Sequence, residues 1–300
     1  MGKIIMVASG KGGTGKTTAV ANIGAALAAS GSLTVLVDMD MGLRNLDIAL
    51  GLESEVVYDF TDFTDGRHSL DDVLVKVGGR ENLYFIAAPQ TRPAAEIDGE
   101  KLAVLWERLR ERFDFCIVDA PAGIGTGFAY ASSGADEAVI VSLAETAALR
   151  DADRAVSAFI KNRETQDDQK KQKEDNSDKK NSENSEDTGE NKPADSEPQK
   201  RELEIKLLMN RIRPDLIEKK LMPNIDECMD MISVPVIGIV PEDEELIRAS
   251  LSGRLAADEP LSSAGTAFSN TARRIKGEHV PIMEFKRKSF FKKLAEAFKK

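Results

Sequence analysis

Short runs of apolar residues recur along this chain, and most are separated by stretches in which apolar residues lie three or four positions apart. Runs with so few polar interruptions are typical of strands buried on both faces of a parallel sheet. They occupy residues 3–8, 33–37, 83–87, 115–118, 138–143, 205–209 and 236–240. Helical spacing is clear over residues 16–30, 100–112 and 150–161. The pattern predicts a doubly wound α/β domain over residues 1–280, with a mostly parallel sheet and helices on both faces.

One segment, residues 162–202, breaks this pattern. Ala194 is its only apolar residue, and it carries nine Lys or Arg against 13 Asp or Glu, a net charge of −4. So little apolar surface cannot offset the entropy lost on ordering, so we expect a disordered polar insertion within the domain. A tolerated surface insertion is favoured, because long surface loops cost little stability. A tether or regulatory segment is the alternative.

The composition of the whole chain limits its surroundings. The 300 residues are 41% apolar, enough for a sizeable core, and contain no apolar run long enough for a transmembrane helix. The N-terminus lacks the pattern of a signal peptide, and two cysteines, Cys116 and Cys228, do not make a disulfide framework. We therefore expect a cytoplasmic protein. The net charge of −10 argues against a general nucleic-acid coat.

A glycine-rich stretch after the first apolar run fits G-x-x-x-x-G-K-[ST], the phosphate-binding loop, or P-loop. It directly precedes a helical pattern, which is the context that the motif requires. Its glycines let backbone N–H groups turn toward phosphate oxygens, and the next helix adds partial positive charge. Lys16 can reach the β- and γ-phosphates, and the Thr17 hydroxyl can hold Mg²⁺. The predicted nucleotide-binding residues here are Gly10, Lys11, Gly12, Gly13, Thr14, Gly15, Lys16, Thr17 and Thr18.

Aspartates follow two of the apolar runs. Asp38 and Asp40 come after residues 33–37, and Asp119 comes after residues 115–118. The carboxyl ends of parallel strands meet at one edge of a sheet, so we expect all three beside the P-loop. A nucleoside triphosphate with Mg²⁺ needs hard oxygen ligands, and Asp119 suits that role directly or through water, with Asp38 assisting through Mg²⁺-bound water. The alternative is that these aspartates only cap the next element.

Base recognition is predicted at the ends of two later runs. Asn210 and Arg211 follow one run, and Pro241 follows the next. An asparagine amide can both donate to and accept from a purine edge, although it can also form a simple Asx turn. The chain has no Asn-Lys-x-Asp guanine reader, which favours ATP over GTP.

The last 17 residues, 284–300, form a second charge block. They carry seven Lys or Arg against two Glu, a net charge of +5 in an acidic protein. Phe291, Leu294, Ala295 and Phe298 follow helical spacing, and Phe290 flanks them. A basic amphipathic helix of this kind is typical of an anchor on an anionic membrane surface, with membrane contacts predicted for Phe290, Phe291, Leu294 and Phe298. The alternative is a helix docked on its own domain.

A tail this short explains how binding could be switched. Isolated helices of this length are marginal in water, so one tail should bind a membrane weakly and reversibly. Two tails in a dimer should bind about 10²- to 10⁴-fold better through effective concentration.

Residues 11–18, Lys-Gly-Gly-Thr-Gly-Lys-Thr-Thr, resemble the deviant Walker A motif of the MinD/ParA ATPase family, in which the early lysine is the signature residue. Residues 38–47 are similar to the D-x-D-x-G-L-R-N-L-D pattern of the MinD branch, and residues 56–60, 81–84, 150–154 and 240–243 are similar to further MinD segments. The likeness covers most of residues 1–161 and 203–272. Two departures are Gly125, where MinD proteins usually have Glu, and the long insertion at 162–202.

The resemblance implies an ATP-dependent homodimer that uses ATP and Mg²⁺. Lys11 would reach the nucleotide of the partner chain and, with Lys16, stabilise charge, while Asp40 would position the attacking water. Asn210 and the loop at Pro241 would contact adenine, and residues 121–123 would sense the γ-phosphate. A slow, partner-stimulated ATP hydrolase is implied.

The resemblance also implies a cellular role. The chain would bind the inner face of the cell membrane in its ATP form, leave on hydrolysis and position the division septum. Its implied partners are a MinC-like inhibitor and a MinE-like activator, and Asp151 and Asp153 match the region linked to partner binding.

Other functions stay open at this point. A ParA-type partition ATPase would need basic residues spread over the folded surface for DNA, whereas the positive excess here is in the tail. An iron–sulfur carrier would need suitably placed cysteines, which Cys116 and Cys228 do not provide. A MinD-like protein for flagellar or polar positioning would differ in its partner rather than in its ATPase site.

Overall fold

The computed structural model describes the backbone of residues 1–182 and 203–282, and the side chains of residues 1–166 and 203–282. In these parts one eight-stranded sheet has the strand order β3-β4-β2-β5-β1-β6-β7-β8. All neighbouring strands run parallel except β3 beside β4. The strands are β1 (Lys3–Ala8), β2 (Thr34–Asp38), β3 (Val75–Lys76), β4 (Leu83–Ile86), β5 (Phe115–Asp119), β6 (Glu137–Leu143), β7 (Glu204–Ile212) and β8 (Val236–Pro241).

The prediction of a doubly wound α/β sheet is confirmed. All seven apolar runs are strands, and β7 continues three residues beyond the predicted run. The two-residue β3 was not predicted, because it is too short to carry a periodic signal.

Helices cover both faces of the sheet. The helices are α1 (Lys16–Ala29), α2 (Leu46–Leu50), α3 (Phe60–Thr64), α4 (Leu70–Val73), α5 (Gly99–Arg112), α6 (Thr126–Ser133), α7 (Thr146–Ser182), α8 (Pro214–Glu218), α9 (Ile225–Ile232), α10 (Glu244–Leu251) and α11 (Ser263–Ile275). None of the described helices combines the length and the apolar character needed to cross a bilayer.

Two hydrophobic cores lie on opposite faces of the sheet. Along β1, Ile4 and Met6 enter one core, whereas Ile5 and Val7 enter the other, as the two-residue period of a strand requires. Helices α5, α6 and α7 cover the first core, and α1 and α11 cover the second. Burial on both faces explains why the strands are continuous apolar runs rather than alternating ones.

Helix α7 is longer than the helical pattern of residues 150–161 predicted. The backbone of α7 continues through Ser182, well beyond the predicted end at residue 161. Residues 162–182 contain neither Gly nor Pro and include five Lys and three Gln. Such residues extend a helix that packing has already nucleated. The predicted disorder of residues 183–202 and the predicted tail helix at 284–300 lie outside the described residues.

Candidate nucleotide-binding site

The P-loop joins β1 to α1 at the carboxyl edge of the sheet. Because β1 lies between β5 and β6, the loop emerges near the middle of that edge. Gly13 and Gly15 have φ values of 80° and 88°, a left-handed conformation that favours glycine. Gly15 is the N-cap of α1 but supplies no side-chain acceptor, and the first turn contains no acidic residue. The N-terminus of α1 is therefore suited to bind an anion.

Lys16 and Asp119 form a buried ion pair at the heart of this site. The ammonium group of Lys16 donates to Oδ1 of Asp119, and their side chains are 7% and 1% exposed. Burial raises the pKa of the Asp119 carboxyl, while the charge of Lys16 acts in the opposite direction. Lys16, which was predicted from the P-loop motif, is thus in direct contact with Asp119, which was predicted from the end of an apolar run.

The surroundings of Asp119 fit a magnesium ion. Its second oxygen, Oδ2, is buried and accepts no hydrogen bond within the described residues. Thr17 lies close enough to lower the pKa of the Asp119 carboxyl. Within the described residues, no group of three or more His, Cys, Asp or Glu side chains is arranged to hold a metal ion by itself. Mg²⁺ at nucleotide sites needs only one or two protein ligands, since phosphates and water complete its shell, so the set of Thr17 and Asp119 is sufficient.

Asp38 is paired in register with Asp119 across β2 and β5. Its Oδ1 accepts from the Asp40 N–H at 2.8 Å, and its Oδ2 accepts from the Leu46 N–H at 3.3 Å. Both bonds close the loop of residues 39–46, so Asp38 organises that loop besides its predicted role near Mg²⁺. Burial, together with the charge of Asp119, raises the pKa of Asp38 to about 7.

Asp40 lies in the 39–46 loop, partly buried beside the ion pair. Burial raises the pKa of its carboxyl, and the charge of Lys16 lowers it. The charge of Asp40 in turn raises the pKa of Asp119. The structure therefore brings Asp40, Lys16 and Asp119 together, as the strand-end argument predicted.

Lys11 lies apart from this cluster. Its ammonium group is 3.3 Å from Oε2 of Glu145, beyond the end of β6, and its side chain is 35% exposed. The Ser9 hydroxyl donates to the Lys11 carbonyl at 2.9 Å and holds the backbone there. Its role across a dimer stays a prediction.

Asn210 supports the P-loop, a contact that sequence reasoning missed. Its Nδ2 donates to the Thr14 carbonyl at 2.7 Å, and its Oδ1 accepts from the Arg211 N–H at 2.9 Å. A Cβ added at Gly15 would lie 2.2 Å from Nδ2 of Asn210. Arg211 is exposed with φ 52°, and Pro241 is buried on the neighbouring strand. Contacts of these residues with adenine stay predictions.

The two acidic residues predicted to bind a partner differ in position. Asp151 packs against the P-loop, because a Cβ added at Gly10 would lie 2.0 Å from the Asp151 carbonyl oxygen. Its carboxylate accepts from Arg154 at 3.3 Å. Asp153 points away from the core and is exposed. The predicted membrane contacts Phe290, Phe291, Leu294 and Phe298 lie outside the described residues.

A cavity of about 330 Å³ lies between the loops that flank the site. It is lined by residues from three segments: 39–42, 90–94 and 121–128. Gly125 is part of this lining, and a Cβ added there would meet no atom within 4 Å. The departure from Glu at this position is therefore not forced by crowding of the backbone.

The fold and the loop define a nucleotide-binding protein of the P-loop class, and comparison with known proteins gives its family. Residues 5–256 match the CobQ/CobB/MinD/ParA nucleotide binding domain. The septum site-determining protein MinD of Synechocystis sp. is 38% identical over 95% of this chain and 93% of its own length.

Two solved structures are also similar. The MinC:MinD cell division protein complex of Aquifex aeolicus matches with a TM-score of 0.76 and 33% identity, covering 94% of this chain and 98% of that one. The MinD of Pyrococcus horikoshii complexed with Mg-ADP matches with a TM-score of 0.70 and 26% identity, covering 92% and 96%. The chain belongs to the CobQ/CobB/MinD/ParA family and, within it, to the septum site-determining MinD proteins. The resemblance seen in the motifs is confirmed.

Proposed function

We propose that this chain hydrolyses ATP, dimerises when ATP is bound, and binds the inner face of the cell membrane through residues 284–300 to position the division septum. Hydrolysis then separates the dimer and releases both tails. The observation that carries the proposal is the buried contact of Lys16 with Asp119 at the P-loop, with Asp119 Oδ2 left for a further partner.

The residues of the site divide the work of binding and hydrolysis. The backbone N–H groups of the P-loop and the N-terminus of α1 bind phosphate oxygens. Lys16 exchanges part of its contact with Asp119 for the β- and γ-phosphates and stabilises the charge that develops on them. Asp40, held in place by the loop that Asp38 closes, orients the attacking water.

Mg²⁺ would be held by Thr17 and Asp119 and would supply positive charge between the phosphates. Its charge would compensate the buried Asp119 carboxylate in place of Lys16, which would then be available to the phosphates. Asp38 keeps its two backbone contacts and faces this position from the neighbouring strand.

The partners follow from the family and from the charge of the tail. A MinC-like inhibitor is supported by the structure of the Aquifex aeolicus MinC:MinD complex. A MinE-like activator would complete a site that hydrolyses ATP only slowly on its own. In the ATP dimer, Lys11 would leave Glu145 and supply its charge to the nucleotide of the partner chain, in the manner of an arginine finger.

The membrane step is tested by co-sedimentation with vesicles that contain phosphatidylglycerol, in the presence of Mg-ATP or Mg-ADP. The intact chain is compared with a version that ends at Met283. We expect binding with ATP and much weaker binding with ADP, because only the ATP dimer presents two tails to the vesicle. We expect no binding after truncation, because the tail itself is then missing.

Hydrolysis is measured in parallel as phosphate release with and without vesicles. Absence of lipid binding in both nucleotide states would disprove the anchor. Binding of the truncated ATP form to DNA, with a strong dependence on salt, would instead favour a partition ATPase.

A further inference from the structure

Exposed apolar side chains lie on α10 and on the turn that precedes α11. Ile247 and Leu251 are one helical turn apart and are 56% and 84% exposed. Leu261 is 89% exposed. The Ser262 hydroxyl next to it donates to Asp243, the N-cap of α10, at 2.8 Å. We call Ile247, Leu251 and Leu261 the α10 face.

The α10 face is set in an acidic segment. Residues 241–261 carry six Asp or Glu against two Arg, a net charge of −4. Arg248 pairs with Glu244 and Glu245, and Arg254 pairs with Glu259. From outside the segment, Arg213 pairs with Glu242 and Arg80 pairs with Asp258, so six carboxylates face four guanidinium groups and negative charge remains in excess. Two copies of this face would repel each other, so a basic, apolar segment is the occupant that it fits.

The chain leaves the domain from a fixed point. Beyond α11, Gly277 takes φ 87°, and the N–H groups of Gly277 and Glu278 donate to the carbonyls of Arg274 and Arg273 at 2.9 and 3.0 Å, a Schellman motif. The Arg274 guanidinium then donates to three carbonyl oxygens, those of Ile237 at 2.8 Å, Val280 at 2.8 Å and Pro281 at 2.6 Å. Ile282 is thereby held near the start of β8.

The length of the remaining chain suffices to reach the α10 face. Helix α11 runs from the α10 face to the point of exit, and its 13 residues span about 20 Å. Residues 283–289 can cover up to about 23 Å when extended. The apolar stripe of the tail would then begin beside Leu261.

We propose that residues 284–300 dock on the α10 face of their own chain when no membrane is bound. Phe291, Leu294 and Phe298 cover the α10 face, and the flanking lysines lie beside its carboxylates. This inference rests on the proposed function, because the same stripe serves the membrane and cannot contact both surfaces. Docking therefore withholds the tail of a single chain from the membrane.

Hydrogen exchange tests the contact directly, without lipid. In the Mg-ADP form, the amides of residues 244–251 should exchange faster in the version that ends at Met283 than in the intact chain. Equal exchange of α10 in the two versions would overturn the proposal. The result does not depend on whether the tail binds membranes, so it separates failure of the docking from failure of the anchor.

Vesicle binding tests the consequence. The double variant Ile247→Ala/Leu251→Ala keeps the helix propensity of α10 and removes apolar surface. Its binding to phosphatidylglycerol vesicles with Mg-ADP should rise at least about fourfold, the factor that corresponds to burying one methylene group. The control is Val104→Ala on α5, which also removes an exposed apolar side chain, 48% exposed, and should change nothing.

Two results of this second test would contradict the docking proposal. One is unchanged ADP-state binding of the double variant while the intact chain still binds with ATP. The other is a double variant that loses ATP-dependent self-association while truncation leaves α10 exchange unaltered, which would assign the α10 face to a second copy of the chain.

Discussion

Replacement of Gly15 by Ala should damage the P-loop by an amount that the structure allows us to work out. A residue with a Cβ in the left-handed region costs roughly 1–2 kcal/mol, and Gly15 has φ 88°. The added Cβ would lie 2.2 Å from Nδ2 of Asn210 and would push that amide away from the Thr14 carbonyl. The lost hydrogen bond adds about 0.5–1.5 kcal/mol. The total is about 1.5–3.5 kcal/mol.

This cost can appear in two places. If the loop relaxes in the free protein, it appears as weaker binding of Mg-ADP, by roughly 10- to 300-fold. If the loop keeps its shape, it appears as a lower free energy of unfolding. Isothermal titration calorimetry and urea unfolding should therefore be done on the same variant, and the sum of the two losses is the quantity predicted.

The chain offers a matched control and a test of the cause. At Gly12 a Cβ would meet no atom within 4 Å, so Gly12→Ala should change the free energy of unfolding by less than about 0.5 kcal/mol. In an Asn210→Ala background the clash is absent, and Gly15→Ala should cost only the part due to φ. A Gly15→Ala variant as stable and as tight in binding as wild type would refute the reasoning.

Three further results are expected. Lys16→Ala leaves Asp119 buried without its cation and should lower the free energy of unfolding, measured in urea, by about 3–5 kcal/mol. The double variant Lys16→Met/Asp119→Asn should recover most of this loss. If it recovers none, the loss is not due to the ion pair. Because the folded state raises the pKa of Asp38 from 3.8 to about 7, its contribution to stability is present below pH 4 and is lost as the pH rises through 7. The melting temperature without nucleotide should therefore fall from pH 5 to pH 8, and it should fall less in Asp38→Asn. An equal fall in the two proteins would show that Asp38 does not cause the pH dependence. Asp40→Asn should keep the affinity for Mg-ADP and lower phosphate release about 10²-fold, and full turnover would exclude Asp40 from orienting water.

Sequence alone predicted the parts of the fold and site that depend on local pattern. The strands are visible because they are buried on both faces, and the P-loop is visible because its glycines and Lys16 must be adjacent in the chain. Asp119 was placed beside Lys16 by a general rule for parallel sheets, and the structure shows them in contact.

Contacts between distant parts of the chain could not be predicted. Nothing near Asn210 in the sequence indicates that its amide supports Thr14, and nothing near Asp151 indicates that it crowds Gly10. The short helices α2, α3 and α4 were missed because four or five residues are too few to show a helical period. The length of α7 was missed because its polar extension lacks apolar residues, although the extension contains no Gly or Pro that would end a helix.

The strand order has a consequence for how the site can respond. The P-loop, Asp119 and Asp38 follow three adjacent strands, β1, β5 and β2, that are joined by continuous backbone hydrogen bonds. Their spacing cannot change unless those bonds break, so this edge of the sheet is rigid. The loops at 39–46 and 120–125 are the parts of the site that can move relative to this rigid edge. In the proposed ATPase cycle, the difference between a bound triphosphate and a bound diphosphate would therefore displace these loops. A partner that alters turnover would act on the loops or on groups supplied by a second chain.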